Sequence, residues 1–379
     1  MRVGWFQYSV FFSAAVVLPH PMSAQASQAP SLWRIAVAGG WGWESNIAMR
    51  NAPYLPDAAT VATAEASLAK QGRRSHIAME AIGGLVRYQT LRSFDRYSYE
   101  VQAVADRRLS NRWTGFLRGS GRMSIASEVQ FDNESVLLPL TVSRMQTAAA
   151  GTAYRRSAMT IASVEARYTH ASFDSPGLVP ASSAGARLGL VHRYNPRSDY
   201  GLTYVFDQYA ETEPRTYVQT MTADWTPRTT RLGARFSAGA SNVAPSMSSL
   251  RQIKAIGSAY METPLAHGAT YLRFARFAGQ SFGLGRVLLT NQAGVGYYRS
   301  PFRSTDMRLS ADRAWSRDPQ APAERLVTTN VTARIGKQFA TGLTLGSEAF
   351  LQHQDQAVRI SNHGVRITAG YAVGSRGTR

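Results

Sequence analysis

Apolar and polar side chains alternate with a period of two along most of the chain. From Trp33 to Trp43 every second residue is aromatic, aliphatic or glycine, while the positions between them are small or charged and end at Glu44. Successive side chains of a β-strand point to opposite faces, so this run predicts a strand with one apolar and one polar face. The same alternation recurs at 97–105, 113–118, 186–193, 200–207, 217–225, 231–238, 307–315, 343–351 and 365–373.

Turn-forming residues separate these runs at 108–111, 195–199, 226–228 and 340–342, which predicts short hairpin connections. Longer polar stretches at 44–75, 127–133, 174–185 and 318–324 are expected to be loops. Within the first of them, the Ala-rich segment 57–70 is expected to form a short helix. Long helical patterns do not alternate with the strands, so a parallel α/β fold is excluded.

The number of strands favours a closed barrel over a soluble all-β fold such as a sandwich. About 14 to 17 candidate strands occur without a composition break, more than a sandwich usually holds. A large barrel has an interior that admits water, so its inner face tolerates charge while its outer face meets lipid. We therefore predict an all-β, antiparallel transmembrane β-barrel of about 14 strands, with 16 as the alternative.

Aromatic spacing agrees with a membrane barrel. Ten residues separate Trp33 from Trp43, which is about 33 Å along a strand and about 25 Å in height at a tilt of about 40°, the apolar band of such barrels. Arg313 is the one basic residue of these runs that falls on the apolar face. The aromatics expected at the membrane interfaces are Trp33, Trp41, Trp43, Trp113, Tyr217 and Trp225.

The N-terminus has the pattern of an export signal. Arg2 precedes the apolar stretch 10–18, and Ala24-Gln25-Ala26 supplies small residues for cleavage. We expect residues 1–26 to be a signal peptide and residues 27–379 to form a single outer-membrane barrel domain. The chain has no cysteine, so neither a disulfide nor a thiolate metal site is available.

The net charge of the chain is strongly positive, with 42 Lys and Arg against 24 Asp and Glu. This excess has three interpretations: an anion-conducting lumen, contact with lipopolysaccharide phosphates, or an acidic partner. Alternatively, the lumenal arginines pair with Glu100, Glu165, Asp312 and Glu348 in a ladder that binds no solute. No nucleic-acid recognition module is present. The basic residues expected to face the lumen are Arg118, Arg122, Arg187, Arg193, Arg231, Arg235, Arg273 and Arg334.

Candidate chemistry is sparse. The seven histidines show no metal-ligand spacing, and no glycine motif that would bind a phosphate occurs, so no metal or cofactor is expected. The nearest arrangement to a nucleophile is His170-Ala171-Ser172, in which the histidine and serine share one strand face. An outer-membrane lipid hydrolase is therefore a distant alternative.

The end of the first strand carries a motif. Glu44, Asn46 and Ile47 follow an aromatic-glycine run, and Asn51, Ala52 and Pro53 come shortly afterwards. This string, together with the last strands at 359–373, resembles the C-terminal barrel of the surface lipoprotein assembly modifier family. The resemblance implies a non-enzymatic, 14-stranded outer-membrane barrel that helps a lipoprotein reach the cell surface. Its expected partners are that lipoprotein, outer-membrane lipids and lipopolysaccharide; the alternative function is a passive porin with anion preference.

Overall fold

The computed structural model describes most of the chain after residue 31. The described ranges are 32–48, 53–131, 134–175, 178–210, 215–227, 232–245, 252–281, 285–300, 304–318, 325–339, 342–355 and 359–374. The predicted signal peptide, Asn51, Ala52 and Arg231 lie outside these ranges, so the predictions made for them stay predictions.

Within these ranges the chain forms 18 β-strands. They are β1 (Leu32–Glu44), β2 (Asp57–Gln71), β3 (Ser75–Tyr88), β4 (Arg96–Arg108), β5 (Trp113–Phe131), β6 (Glu134–Arg155), β7 (Thr160–Phe173), β8 (Ala181–Asn195), β9 (Ser198–Ala210), β10 (Thr216–Pro227), β11 (Gly233–Pro245), β12 (Gln252–Leu265), β13 (Gly268–Ser281), β14 (Arg286–Arg299), β15 (Thr305–Arg317), β16 (Arg325–Gln338), β17 (Leu343–Asp355) and β18 (Arg359–Gly374). A 3-10 turn occupies Arg92–Phe94. No helix of the described part is long and apolar enough to cross a membrane, a result that does not bear on strands.

The strands close into one antiparallel barrel. Each strand pairs with its neighbours in sequence, and β1 also pairs with β18 from Arg34↔Gly374 to Glu44↔Gly364. Closure gives the backbone groups along the wall a partner, as the interior of a bilayer requires. The predicted all-β, antiparallel closed barrel is confirmed.

The predicted strand number is wrong, because the barrel has 18 strands rather than 14 or 16. One missed strand is β2, which occupies the segment expected to be a helix. Its outer positions are mostly alanine and its inner positions include Thr63 and Ser67, so the apolar and polar faces differ little in hydropathy. Pairing with β1 and β3 along most of β2 overrides the helix propensity of alanine.

Two of the predicted loops are also partly strand. Residues 127–131 continue β5 beyond a register shift between Ala126 and Glu128, and residues 181–185 begin β8. The predicted turns at 108–111 and 195–199 lie at the junctions of consecutive strands, whereas most of the loop predicted at 318–324 and parts of the turns predicted at 226–228 and 340–342 lie outside the described residues. Polarity alone did not distinguish loops from strands, since the inner face of a strand in a wide barrel is polar as well.

The two faces of the wall differ in polarity. The outer face, which carries Trp33, Ile35 and Val37, exposes large apolar side chains on most strands, whereas the inner face carries most of the charged residues. Exposed apolar side chains in a continuous belt are stable only against lipid. The barrel therefore spans a membrane.

The ends of the barrel differ in the length of their connections. The end that holds Leu32 and Gly374 has connections of two to five residues, whereas the opposite end has connections of up to 12 residues, between β1 and β2. Outer-membrane barrels have short periplasmic turns and longer external loops. We therefore call the first the periplasmic end and the second the outer end.

Candidate functional site: the lumen

Charge is unevenly distributed around the inner wall. Strands β2 to β4 carry Glu65, Glu80 and Glu100, and Glu80 lies within electrostatic range of the other two. The neighbouring strands β5 to β8 are mainly basic; among the side chains that the structure describes, their inner face presents Arg118, Arg122, Arg167, Arg187 and Arg193 against the acid Glu165. A solute in the lumen therefore meets an acidic arc beside a basic arc.

Several predicted lumenal arginines lie next to carboxylates. In the strand register, Arg122 is opposite Glu100, Arg187 is opposite Glu165 and Arg334 is opposite Glu348. Two others form ion pairs: Arg193 is 3.4 Å from Asp199, and Arg273 is 2.7 Å from Asp312. Part of the basic inner face therefore belongs to a cross-strand ladder.

Five lumenal arginines have no carboxylate within ion-pair distance among the described residues, although two of them, Arg122 and Arg334, are opposite a glutamate in the register. They are Arg118, Arg122, Arg235, Arg308 and Arg334. Arg118 lies 4.8 Å from the centroid of the Phe116 ring, and Arg308 is directly opposite Arg334. Cationic groups of this kind are available to an anionic solute.

Two of the ion pairs span three strands and require glycine in the middle strand. Arg167 on β7 and Asp207 on β9 are 2.6 Å apart across Gly185, and the pair formed by Arg273 and Asp312 crosses Gly294 of β14 in the same way. A methyl group on either glycine would overlap the aspartate carboxylate. Sequence reasoning missed these pairs because the partners lie two strands apart.

We expect Gly294→Ala to lower the free energy of unfolding by about 1–3 kcal/mol, because the new methyl group separates a partly buried arginine from its aspartate. Urea titration of the refolded protein in detergent would measure the loss. The matched control is Gly121→Ala on the outer face, where an added methyl group meets nothing within 4 Å. Equal unfolding midpoints for the two variants would contradict the proposed role of Gly294.

The outer end of the lumen is occupied by the tip of the β13–β14 hairpin. β12 and β13 pair only from Gly257 to Leu265, so the outer part of β13 leaves the wall. Val287 then packs on Tyr209, Val218 and Val243, which belong to the inner face of β9 to β11. On β14, consecutive residues from Val287 to Thr290 are buried, with Leu289 at 0% exposure. A strand buried on both faces inside a barrel partly fills it.

The wall opposite β7 and β8 also folds inward at this end. Leu326 near the start of β16 packs on Ala171 and Ala181, which lie on the inner face of β7 and β8, so opposite walls meet across the lumen. Val327, its neighbour in β16, belongs to the outer face and is nevertheless buried. The described part of the barrel is thus narrowed at its outer end by two hairpins.

The inward lean accounts for Arg313, the basic residue on the outer face. Its guanidinium lies 5.4 Å from the centroid of the Trp315 ring, and it lines a shallow cavity of about 250 Å³ with Arg325, Val327 and Asp355. These residues lie near the outer ends of β15, β16 and β17. Its lining places charged groups on the outer face near this end of the barrel.

The residues of the first-strand motif form a buried network where the barrel closes. Glu44 accepts hydrogen bonds from Arg96 at 3.2 Å and from Arg366 at 3.0 Å, and its side chain is 3% exposed. The backbone N–H of Asn46 donates to Asn362 Oδ1 at 3.1 Å. Glu44 therefore links β1 to β4 and β18, while Pro53 is exposed on the following connection.

The predicted interface aromatics lie on the outer face at both ends. Trp33, Trp113 and Trp225 are at the periplasmic end and Trp41 is at the outer end, all four with exposed rings. Two are more covered: Trp43 packs edge-on against His363, and Tyr217 stacks on Phe206. Together they define an interface level at each end of the belt.

The candidate nucleophile lacks an orienting carboxylate on the adjacent strands. His170 and Ser172 share the outer face of β7, and the register partners of His170 are Gln146 and Ser182. A His–Ser pair needs a third group that sets the tautomer of the imidazole. Among the described residues, no group of three or more His, Asp or Glu side chains could hold a metal ion.

A closed antiparallel barrel with an apolar belt, two aromatic levels and a charged interior is an outer-membrane barrel. No family model and no curated protein matches the chain. Among solved structures it is similar to Pseudomonas aeruginosa OccK2 (OpdF), with a TM-score of 0.54 and 12% identity over 92% of this chain and 98% of that chain. The same protein in complex with glucuronate gives a TM-score of 0.53 and 12% identity over 91% and 98% of the two chains. Pseudomonas aeruginosa OpdK with vanillate gives 0.50 and 10% identity over 91% and 99%.

These similarities correct the expected function. The solved structures that are similar over most of the chain are OccK2 and OpdK, and the barrel has 18 strands, whereas the predicted surface lipoprotein assembly modifier would be a 14-stranded barrel. The motif at Glu44 and Asn46 misled the prediction because its residues stabilise the closing strands. Such a role is structural and does not identify a cargo.

Proposed function

We propose that the protein is a selective outer-membrane diffusion channel for small anionic solutes, carboxylates foremost, and not an enzyme. The observation that carries the proposal is the set of lumenal arginines without carboxylate partners among the described residues, of which Arg118 and Arg122 lie on one strand. A guanidinium binds a carboxylate through two parallel hydrogen bonds. Glucuronate and vanillate, the compounds present with OccK2 and OpdK, both carry a carboxylate.

The adjoining acidic arc narrows the class of solute. A simple anion such as chloride is repelled by Glu65, Glu80 and Glu100 while it is attracted by the arginines. A solute with a carboxylate at one end and hydroxyl groups at the other satisfies both arcs, because hydroxyls donate to carboxylates. Hydroxylated carboxylates therefore fit this lumen better than inorganic anions do.

We expect the channel to be anion-selective in planar bilayers and Arg118→Gln/Arg122→Gln to move its reversal potential under a KCl gradient towards zero. The matched control is Arg87→Gln, an exposed outer-face residue. We further expect glucuronate to interrupt the chloride current of the wild type more often than that of the double variant. A cation-selective channel, or equal interruption in both proteins, would contradict the proposal.

A further inference from the structure

Positive charge is concentrated at one end of the barrel. In the sequence, the eight connections at the periplasmic end contain eight arginines and neither Asp nor Glu. The nine connections at the outer end contain four arginines and seven acidic residues. The positive charge of the connections is therefore distributed unevenly along the barrel axis, with its excess at the periplasmic end, and the basic residues of the chain are not confined to the lumen.

The described basic residues at the periplasmic end form a ring, which we call the basic ring. Five of them lie in the connections, and four lie on outer-face positions within two residues of a strand end. All nine are exposed, and none has an ion-pair partner among the described residues. The members are Lys70, Arg73, Arg74, Arg107, Arg112, Arg156, Arg197, Arg299 and Lys337.

Acidic residues at this end lie on the other side of the wall. Asp106, Asp199 and Asp306 all belong to the inner face, where Asp106 is 3.6 Å from His76 and Asp199 is 3.4 Å from Arg193. They do not neutralise the outward ring. The ring therefore presents uncompensated charge at the periplasmic end, and its four strand members present it on the outer face of the barrel.

At the outer end, three exposed arginines form ion pairs. Arg87 lies 3.8 Å from Asp95, Arg144 lies 2.7 Å from Asp174 and Arg359 lies 4.0 Å from Asp355. Carboxylates of the protein thus occupy the positions where anions would bind at these three arginines, whereas Arg92, Arg215 and Arg325 at the same end have no such partner among the described residues. At the periplasmic end those positions are open to an external anion.

The depth and extent of the basic ring match a lipid headgroup layer. Trp33, Trp113 and Trp225 mark the interface level at this end, and the ring lies at or beyond that level. Lys337 keeps its ammonium 5.4 Å from the centroid of the Phe339 ring. Ring members occur at four of the eight connections, all between β2 and β9, and on the strands β2, β4, β14 and β16. A protein partner would need only one arc, whereas lipid surrounds the whole barrel.

We propose that the basic ring binds the phosphates of anionic phospholipids in the inner leaflet of the outer membrane. Each Lys or Arg near an anionic lipid surface strengthens binding about fivefold, and the interaction is screened by salt. The ring thereby fixes the depth of the barrel and gathers phosphatidylglycerol around its periplasmic end. This binding does not depend on what the channel transports.

Native mass spectrometry of the full chain in detergent, with phosphatidylglycerol, phosphatidylcholine and lipid A added at equal concentration, tests the proposal. We expect phosphatidylglycerol to be retained in preference to phosphatidylcholine. In Arg73→Gln/Arg112→Gln/Arg156→Gln its affinity should fall by between about tenfold and about a hundredfold. The outer-end control Arg87→Gln/Arg92→Gln/Arg359→Gln should keep the wild-type affinity, and 0.5 M NaCl should abolish the preference.

Three outcomes would overturn the proposal. Equal retention of phosphatidylglycerol and phosphatidylcholine would show that the ring does not select anionic headgroups. A loss of affinity for phosphatidylglycerol that is confined to the outer-end variant would show that the outer end binds the lipid and the basic ring does not. Lipid A retained more strongly than phosphatidylglycerol, and lost in the ring variant, would identify lipopolysaccharide as the source of the phosphate. Bilayer conductance of the ring variant reports separately on the channel function.

Discussion

Replacing Glu44 by alanine is expected to lower the free energy of unfolding by about 3–5 kcal/mol, because the change leaves two arginines without their shared carboxylate. Arg96 is 11% exposed in its side chain and has no other carboxylate within 4.0 Å among the described residues. Asn362 loses an acceptor as well, since its Nδ2 lies 3.4 Å from Glu44 Oε2. The loss falls on the contact between the first and last strands of the barrel.

Urea unfolding in detergent, followed by the change in migration of folded and heated protein on a gel, measures the effect. The matched control is Glu65→Ala, which removes an ion pair with Arg34 whose side chains are far more exposed. Exposed pairs contribute about 0–1 kcal/mol, so the control should unfold close to the wild type. Similar midpoints for Glu44→Ala and Glu65→Ala would show that the buried network does not hold the barrel closed.

Replacing Val287 by aspartate is expected to open the outer end and raise single-channel conductance severalfold. Val287 lies at 6% exposure among apolar inner-wall residues, and a carboxylate placed there has no partner in that cluster. If the substitution destabilises the inward position of the hairpin by about 3 kcal/mol, the equilibrium between the inward and released positions shifts towards the released position by about a hundredfold. The matched control is Ile253→Asp at the same end, where the side chain is 75% exposed.

A second variant is designed to hold the outer end closed rather than to open it. Leu326 belongs to one buried cluster with Ala171 and Ala181 across the lumen, and the chain has no native cysteine. In Leu326→Cys/Ala181→Cys we expect oxidation to hold the opposite walls together and to silence the channel, and a reducing agent to restore conductance. Full conductance of the oxidised protein, with the disulfide verified by mass, would contradict a closure at this level.

The alternation of the sequence predicted those strands in which the two faces differ strongly. β1, β4 and β9 alternate aromatic or aliphatic with charged or small residues, and their predicted faces agree with the register. β2 was missed because alanine is compatible with both a helix and a lipid-facing strand. Two predicted loops were strands for a related reason, since a polar inner face does not differ in composition from a loop.

The inward hairpins could have been suspected from the sequence. Val287, Leu288 and Leu289 form an uninterrupted apolar run, and Leu326 and Val327 form a shorter one. A strand that is apolar on both faces is expected where both faces are buried, which the wall of a water-filled barrel does not provide. What the sequence could not supply is the surface on which these runs pack, because Tyr209, Val218 and Val243 lie on strands several places away.

In each ion pair that bridges three strands, the arginine, the intervening glycine and the aspartate depend on one another. Gly185 cannot acquire a side chain unless Asp207 or Arg167 changes with it, although neither of them is its neighbour along the chain. Related sequences should therefore show correlated substitutions between next-nearest strands at this point. If this correlation were interpreted as pairing between adjacent strands, it would wrongly pair β7 with β9. A barrel built from it would have one strand too few.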